Sequence, residues 1–149
     1  MTPRFDLIGI VTADMAASLA FYRLLGLDIP AGADGEPHVE ASLPGGLRIA
    51  WDTDETVRSI NSGWHPGPRG SGRLGLAFLC DSPDDVDEQY TALTGVGYEG
   101  HEAPWDAFWG QRYANVRDPD GTQVDLYAAL PSDAGQPPDA GEGGATASG

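Results

Sequence analysis

Leu7-Ile8-Gly9-Ile10-Val11-Thr12-Ala13-Asp14 reads as a β-rich run ending in a helix cap, and Gly75-Leu76-Ala77-Phe78-Leu79-Cys80-Asp81-Ser82 reads as the same phrase again. Each run leads into an apolar helical stripe that stops at a glycine, Gly26 in the first half and Gly95 in the second. Each half then closes on a glycine turn and a strand. Leu43-Pro44-Gly45-Gly46-Leu47-Arg48-Ile49-Ala50-Trp51-Asp52 mirrors Asp118-Pro119-Asp120-Gly121-Thr122-Gln123-Val124-Asp125-Leu126-Tyr127. An internal repeat of roughly 70 residues is an architectural signal and comes before any finer reading.

Asp14 reads as the cap of a helix whose stripe is Met15, Leu19, Tyr22 and Leu24 or Leu25. Ser82-Pro83-Asp84-Asp85 is the stronger start: a hydroxyl cap, proline at the first helical position, and two acids where the helix dipole favours them. Val86, Tyr90 and Leu93 continue that stripe. Strands are expected over 5–13, 27–30, 37–43 and 46–52, then over 97–102, 109–117 and 121–128 after the second opening strand. Pro44-Gly45-Gly46 and Pro119-Asp120-Gly121 read as hairpin turns. The fold class is therefore α+β, with βαβββ written twice. Modules of about 5–52 and 73–129 form one domain over 1–130. Residues 53–72 are expected to be a linker arm or lid, because they are long and rich in Gly and Pro. Residues 131–149 are Pro, Gly, Ala, Ser and acid, and are expected to be a disordered tail.

Composition narrows the function. The chain has 149 residues, 40% of them hydrophobic, and a formal net charge of −15. That charge argues against nucleic acid and anionic membranes, whose binding begins with clustered Lys and Arg. It suits a solvated acidic surface and a cationic ligand. No run approaches the roughly 18 apolar residues of a membrane span. Met1-Thr2-Pro3-Arg4-Phe5-Asp6 carries no apolar leader, and the one cysteine, Cys80, permits no intrachain disulfide, so a cytoplasmic setting is expected. Pro66-Gly67-Pro68-Arg69-Gly70-Ser71-Gly72 lacks the Lys-Ser/Thr end of a phosphate-binding loop.

Phe21-Tyr22 with Leu24-Leu25-Gly26-Leu27, and Arg117-Asp118-Pro119-Asp120-Gly121 before Val124-Asp125-Leu126, make the chain resemble the vicinal-oxygen-chelate family over roughly residues 5–129. That family holds glyoxalases, extradiol dioxygenases, fosfomycin-resistance enzymes and bleomycin-resistance proteins. The resemblance implies two modules that curl into a half-open β-barrel around a cavity. It also implies metal ligands on the first and last strands, at positions that here carry Leu7, Gly75, Ala50 and Asp125. One carboxylate does not make a catalytic metal site, which takes about three protein ligands. No metal or other cofactor is expected, and the resemblance is to the bleomycin-resistance-like branch lacking those ligands. Members of this size commonly pair, so it also implies a homodimer.

Alternation along strands then selects the cavity wall. With the ligand positions inward, Gly9, Val11, Ala77, Leu79, Arg48, Asp52, Gln123 and Tyr127 face inward too. By the repeat, His38 and Glu40 match Tyr113 and Asn115. Trp105, Phe108 and Trp109 lie close together ahead of a strand, and Trp64 lies in the arm. Tryptophans on loops are free to face a ligand. Trp51 has the opposite parity and belongs to the core. Cys80 faces away from the cavity, and His65 and His101 read as surface residues.

The ligand-binding set is thus His38, Arg48, Trp64, Trp105, Phe108, Trp109, Tyr113, Asn115, Gln123 and Asp125. No catalytic or metal-binding residue is assigned. The expected function is metal-independent binding and sequestration of a hydrophobic or aromatic small molecule, such as an antibiotic in self-resistance. The alternative is a divergent glyoxalase-like lyase or isomerase, or a dioxygenase-type enzyme, using His38 with Asp125 or Glu40.

Overall fold

The computed structural model describes residues 1–70 and 73–132; the expected tail beyond 132 lies outside them. The chain forms two compact units, Met1–Gly72 with Asp118–Thr122, and Arg73–Arg117 with Gln123–Gly149. The first holds β1 (Leu7–Thr12), α1 (Met15–Leu24), β2 (His38–Ser42), β3 (Arg48–Thr53) and α2 (Asp54–Ile60). The second holds β4 (Gly75–Leu79), α3 (Pro83–Gly95), β5 (Gly100–Ala107), β6 (Gln111–Arg117) and β7 (Gln123–Ala129). The first sheet runs β1-β3-β2 and the second β4-β7-β6-β5. The fold is mixed α+β, of the kind the sequence repeat implies.

The repeat is written into the register. In the first unit Gly9 pairs with Ala50 and Ala50 with Glu40; in the second Ala77 pairs with Asp125 and Asp125 with Asn115. Val11, Asp52 and His38 form one cross-strand row, and Leu79, Tyr127 and Tyr113 form its counterpart. In both sheets the opening strand pairs in parallel with the closing one, which also carries an antiparallel neighbour.

Each sheet buries one face under its helix. In the first unit Ile10, Val39, Ile49 and Trp51 are buried, as are Leu19, Phe21 and Tyr22 of α1, and the Tyr22 and Trp51 rings lie 5.5 Å apart. In the second, Val116, Val124 and Leu126 are buried on strands that α3 packs against, with Val86 and Leu93 of α3 buried as well. The caps are those the sequence announces. Asp14 accepts from the Ala17 N–H, and Ser82 accepts from Asp85 with Pro83 at the first turn.

Three expectations are corrected. Residues 27–30 form no strand: the Arg23 guanidinium takes the carbonyls of Ile29 (3.4 Å) and Pro30 (2.6 Å), and Pro30 has no N–H for a ladder. A 3-10 turn, Ala31–Gly35, follows instead. The arm 53–72 opens with a helix, because Thr53 accepts from the Thr56 N–H and Asp54 and Glu55 occupy the first turn. Finally, β5 runs over Gly100–Ala107 rather than 97–102, so Trp105 stands on a strand and not on a loop. Two register shifts, between Gly100 and Glu102 and between Glu102 and Trp105, carry this edge strand past Pro104.

The Asp118–Thr122 turn is bound into the first unit. Buried Asp118 accepts from the Tyr22 hydroxyl at 2.9 Å and from the N–H groups of Asp120 and Thr122 at 2.9 and 2.8 Å. Asp120 accepts from the Ala13 N–H at 3.0 Å. Gly121 has φ of 88°, and a Cβ there would lie 2.8 Å from both the Arg69 side chain and the Gly70 nitrogen. The two sequence motifs that carry the family resemblance are therefore hydrogen-bonded to each other, through Tyr22 and Asp118.

Candidate functional site

In the second unit the sheet face opposite α3 gathers most of the candidate residues. Alternation puts Tyr113 and Asn115 of β6 and Gln123, Asp125 and Tyr127 of β7 on that face, and register sets Trp105 of β5 opposite Tyr113. Phe108 and Trp109 follow in the β5–β6 turn. The Trp105, Trp109 and Tyr113 rings meet edge to face, with centroids 6.2 Å apart for the two tryptophans and 5.4 and 5.3 Å from each to Tyr113. Gln111 accepts from the Trp109 indole N–H at 2.8 Å and fixes that ring. Phe108 is 97% exposed and Trp109 46%.

At the edge of this ring cluster lies Asp125. It accepts from the Tyr113 hydroxyl at 2.5 Å, the Asn115 amide at 2.5 Å and the Gln123 amide at 3.2 Å. Burial, reinforced by the adjacent carboxylate, pushes the Tyr113 hydroxyl up to about 12, so it stays a donor at neutral pH. The face is therefore apolar and aromatic on one side and hydrogen-bonding on the other.

The first unit carries a different arrangement on the equivalent face. His38 and Asp52 are opposite each other in the ladder, and the His38 Nδ1 lies 2.7 Å from Asp52. Its Nε2 lies 2.8 Å from Glu40, two residues along the same strand. Arg48 continues the chain, donating to Glu40 at 2.6 Å and to Asp6 at 2.5 Å. The hydrogen bond to Glu40, then that to Asp52, raises the imidazole above its ordinary value, while His38 and Arg48 hold the Glu40 carboxyl down. Each carboxylate calls for an N–H on the ring nitrogen it meets, so the pair favours the doubly protonated imidazole.

The raised His38 contributes stability fully below the unfolded imidazole value, and loses it as pH rises through the folded one. An NMR titration is expected to place His38 above the ordinary imidazole value, and E40Q to bring it down. A midpoint at or below the ordinary value in the wild type would show that the two carboxylates do not hold the ring.

Trp64 follows α2 in the first unit, and the Arg58 guanidinium lies 5.6 Å from its ring centroid. Trp105, Phe108, Trp109, Tyr113, Asn115, Gln123 and Asp125 thus belong to the second unit, and His38, Arg48 and Trp64 to the first. Asp6 and α2 are the pieces that sequence patterns leave out. Asp6 precedes the strand and has no partner until Arg48 folds back to it. The wall of α2 helps frame an open depression of about 360 Å³ lined by Met15, Asp34, Glu36, Thr53, Glu55 and Thr56.

The strand positions at which the resemblance puts metal ligands do not fit a divalent metal. Leu7, Ala50 and Gly75 offer no donor atom, and Asp125 alone lacks the roughly three protein ligands of a catalytic site. Among the described residues no group of three or more His, Cys, Asp or Glu is placed to hold a metal ion. Nor is any described helix long and apolar enough to cross a membrane.

Comparison with known proteins agrees with the geometry. A glyoxalase/bleomycin resistance protein/dioxygenase from Nocardioides is 25% identical, with a TM-score of 0.67 over 92% of this chain and 89% of that one. A glyoxalase/bleomycin resistance protein/dioxygenase family enzyme from Burkholderia phytofirmans PsJN superposes with a TM-score of 0.70 at 18% identity, over 86% of this chain and all (100%) of that one. A glyoxalase-related enzyme from Fulvimarina pelagi gives 0.71 at 18% identity, over 91% and 96% of the two chains. No curated protein matches the chain. The sequence profile of the Glyoxalase/Bleomycin resistance protein/Dioxygenase superfamily matches residues 4–126, and with a duplicated strand register and a shared fold the chain belongs to that superfamily.

Proposed function

We propose that the protein binds a hydrophobic, planar aromatic small molecule without a metal and holds it unchanged, as a drug-sequestering member of the bleomycin-resistance branch would. The observation that carries this reading is the Trp105–Trp109–Tyr113 cluster beside Asp125. Large rings left at the surface cost free energy unless something covers them, and Phe108 and Trp109 are exposed. Edge-to-face rings leave faces on which a planar ligand stacks, while Asn115, Gln123 and Asp125 orient its polar groups.

Titration with a panel of polyaromatic antibiotics is expected to quench tryptophan fluorescence with one-to-one stoichiometry and to return the ligand intact. Trp109→Ala is expected to weaken binding by roughly 1–3 kcal/mol, in the range of interface hot spots, with little change in stability. Binding that survives Trp109→Ala unchanged, or a fold that collapses with it, would remove the cluster from the site.

A second reading, a lyase or isomerase working by acid–base chemistry, draws on His38 between Asp52 and Glu40. It ranks lower because both ring nitrogens are already engaged by carboxylates, which favour the doubly protonated ring and leave no free lone pair with which to take a proton. The His38 titration separates the two: a ring neutral at working pH favours the enzyme.

A further inference from the structure

We infer that the ring cluster and Asp125 select a ligand whose aromatic system carries a positive charge. The inference rests on the proposed aromatic site and narrows its ligand to a heteroaromatic cation. Asp125 is the reason. Asp6 and Glu40 pair with Arg48, Asp34 with Arg23, Asp54 with Arg58, and Asp87 and Asp106 with Arg112. Asp125 is met only by neutral donors, the Tyr113 hydroxyl and the Asn115 and Gln123 amides, and by no Arg, Lys or His among the described residues.

A partly buried carboxylate without a counter-charge is a costly thing to keep beside a cluster of aromatic rings. Its three neutral donors fix its position and use three of its four or so acceptor sites, leaving room for a further donor. The amide oxygen of Asn115, a residue 5% exposed, is buried beside it and accepts no hydrogen bond from a described residue.

The rings point the same way. Trp105, Trp109 and Tyr113 lie at 65–89° to one another, so their negative faces are turned to different sides rather than stacked away. A cation held against such faces is attracted by the ring quadrupoles, and best by tryptophan. A neutral ring would stack there but leave Asp125 uncompensated, and an anion would be repelled by it. The net charge of −15 adds to this by concentrating cations around the molecule.

The test uses a matched pair on the intact protein, N-methylquinolinium and quinoline at neutral pH, followed by the shifts of the tryptophan indole N–H resonances. N-methylquinolinium is expected to bind about 10-fold tighter than quinoline or better, the gap narrowing at high salt. In D125N the ratio of the two affinities is expected to fall to about one. Equal affinities in the wild type overturn the charge selection and leave the aromatic site standing. Absence of binding by either overturns both. A preference that persists in a folded D125N takes the selection away from Asp125; should that variant not fold, the wild-type pair alone decides.

Discussion

Trp51→Ala is expected to lower the unfolding free energy by roughly 3–5 kcal/mol, the range for emptying a buried tryptophan site. The side chain is fully buried on the helix-facing side of β3, between Ile10 and Val39 of the flanking strands and 5.5 Å from the Tyr22 ring. Nothing at that position can collapse easily, because the flanking strands are held in register by β3 itself. The indole N–H is buried with no acceptor among the described residues. Such an orphan donor costs about 1–3 kcal/mol, so Trp51→Phe, which keeps much of the volume and drops the donor, is expected to lose far less than alanine does. Chemical denaturation of the three proteins checks the order. If phenylalanine costs as much as alanine, the indole N–H has a partner in solution. A loss under about 1 kcal/mol for alanine would mean that Trp51 is not core.

Asp118→Ala is the second large effect. It strips the acceptor from three donors at once: the Tyr22 hydroxyl, on a fully buried residue, and the N–H groups of Asp120 and Thr122. Each buried donor left unmet costs about 1–3 kcal/mol, and the two main-chain groups lie where water can reach part of the loss, so roughly 3–5 kcal/mol is expected. Asp118→Asn keeps an acceptor for the turn and is expected to be milder. Its pH dependence has a definite sign. Burial raises the Asp118 carboxyl above the ordinary value, outweighing the hydrogen bonds that favour its charged form. The wild-type carboxyl therefore contributes most below the unfolded value and loses that contribution as pH rises through the raised folded one. An asparagine does not titrate, so the penalty of D118N is expected to be larger at pH about 4 than at pH about 7. Denaturation curves at the two values decide it, and a penalty that grows with pH would mean that the folded carboxyl is not raised.

Much of this architecture is legible before folding, because it depends on local chemistry. The cap at Asp14, the Ser82-Pro83 start and the glycine turns each rest on a few adjacent residues, and each forms as written. Strand alternation is equally local. It puts His38 with Glu40, Arg48 with Asp52, and Tyr113 with Asn115 on common faces, and the ladders keep those faces. The repeat, once seen, carries Ala50 onto Asp125 and His38 onto Tyr113 through matching registers.

What the chain does not announce depends on partners far away in sequence. The run at 27–30 looks like a strand until Arg23 captures the carbonyls of Ile29 and Pro30. Pro104 looks like the end of a strand, but β5, at the edge of the sheet among the described residues, absorbs the missing N–H in register shifts. Composition hides α2, because the glycines and prolines after Ile60 outweigh the Thr53 cap ahead of it. His38 meets Asp52 only because the β2–β3 register sets them opposite, and Arg48 reaches Asp6 across 42 positions of sequence. The same holds for the rings around Asp125: alternation and turn chemistry set which face each side chain takes, while only the closed ladder and the reach of long side chains decide which of them touch.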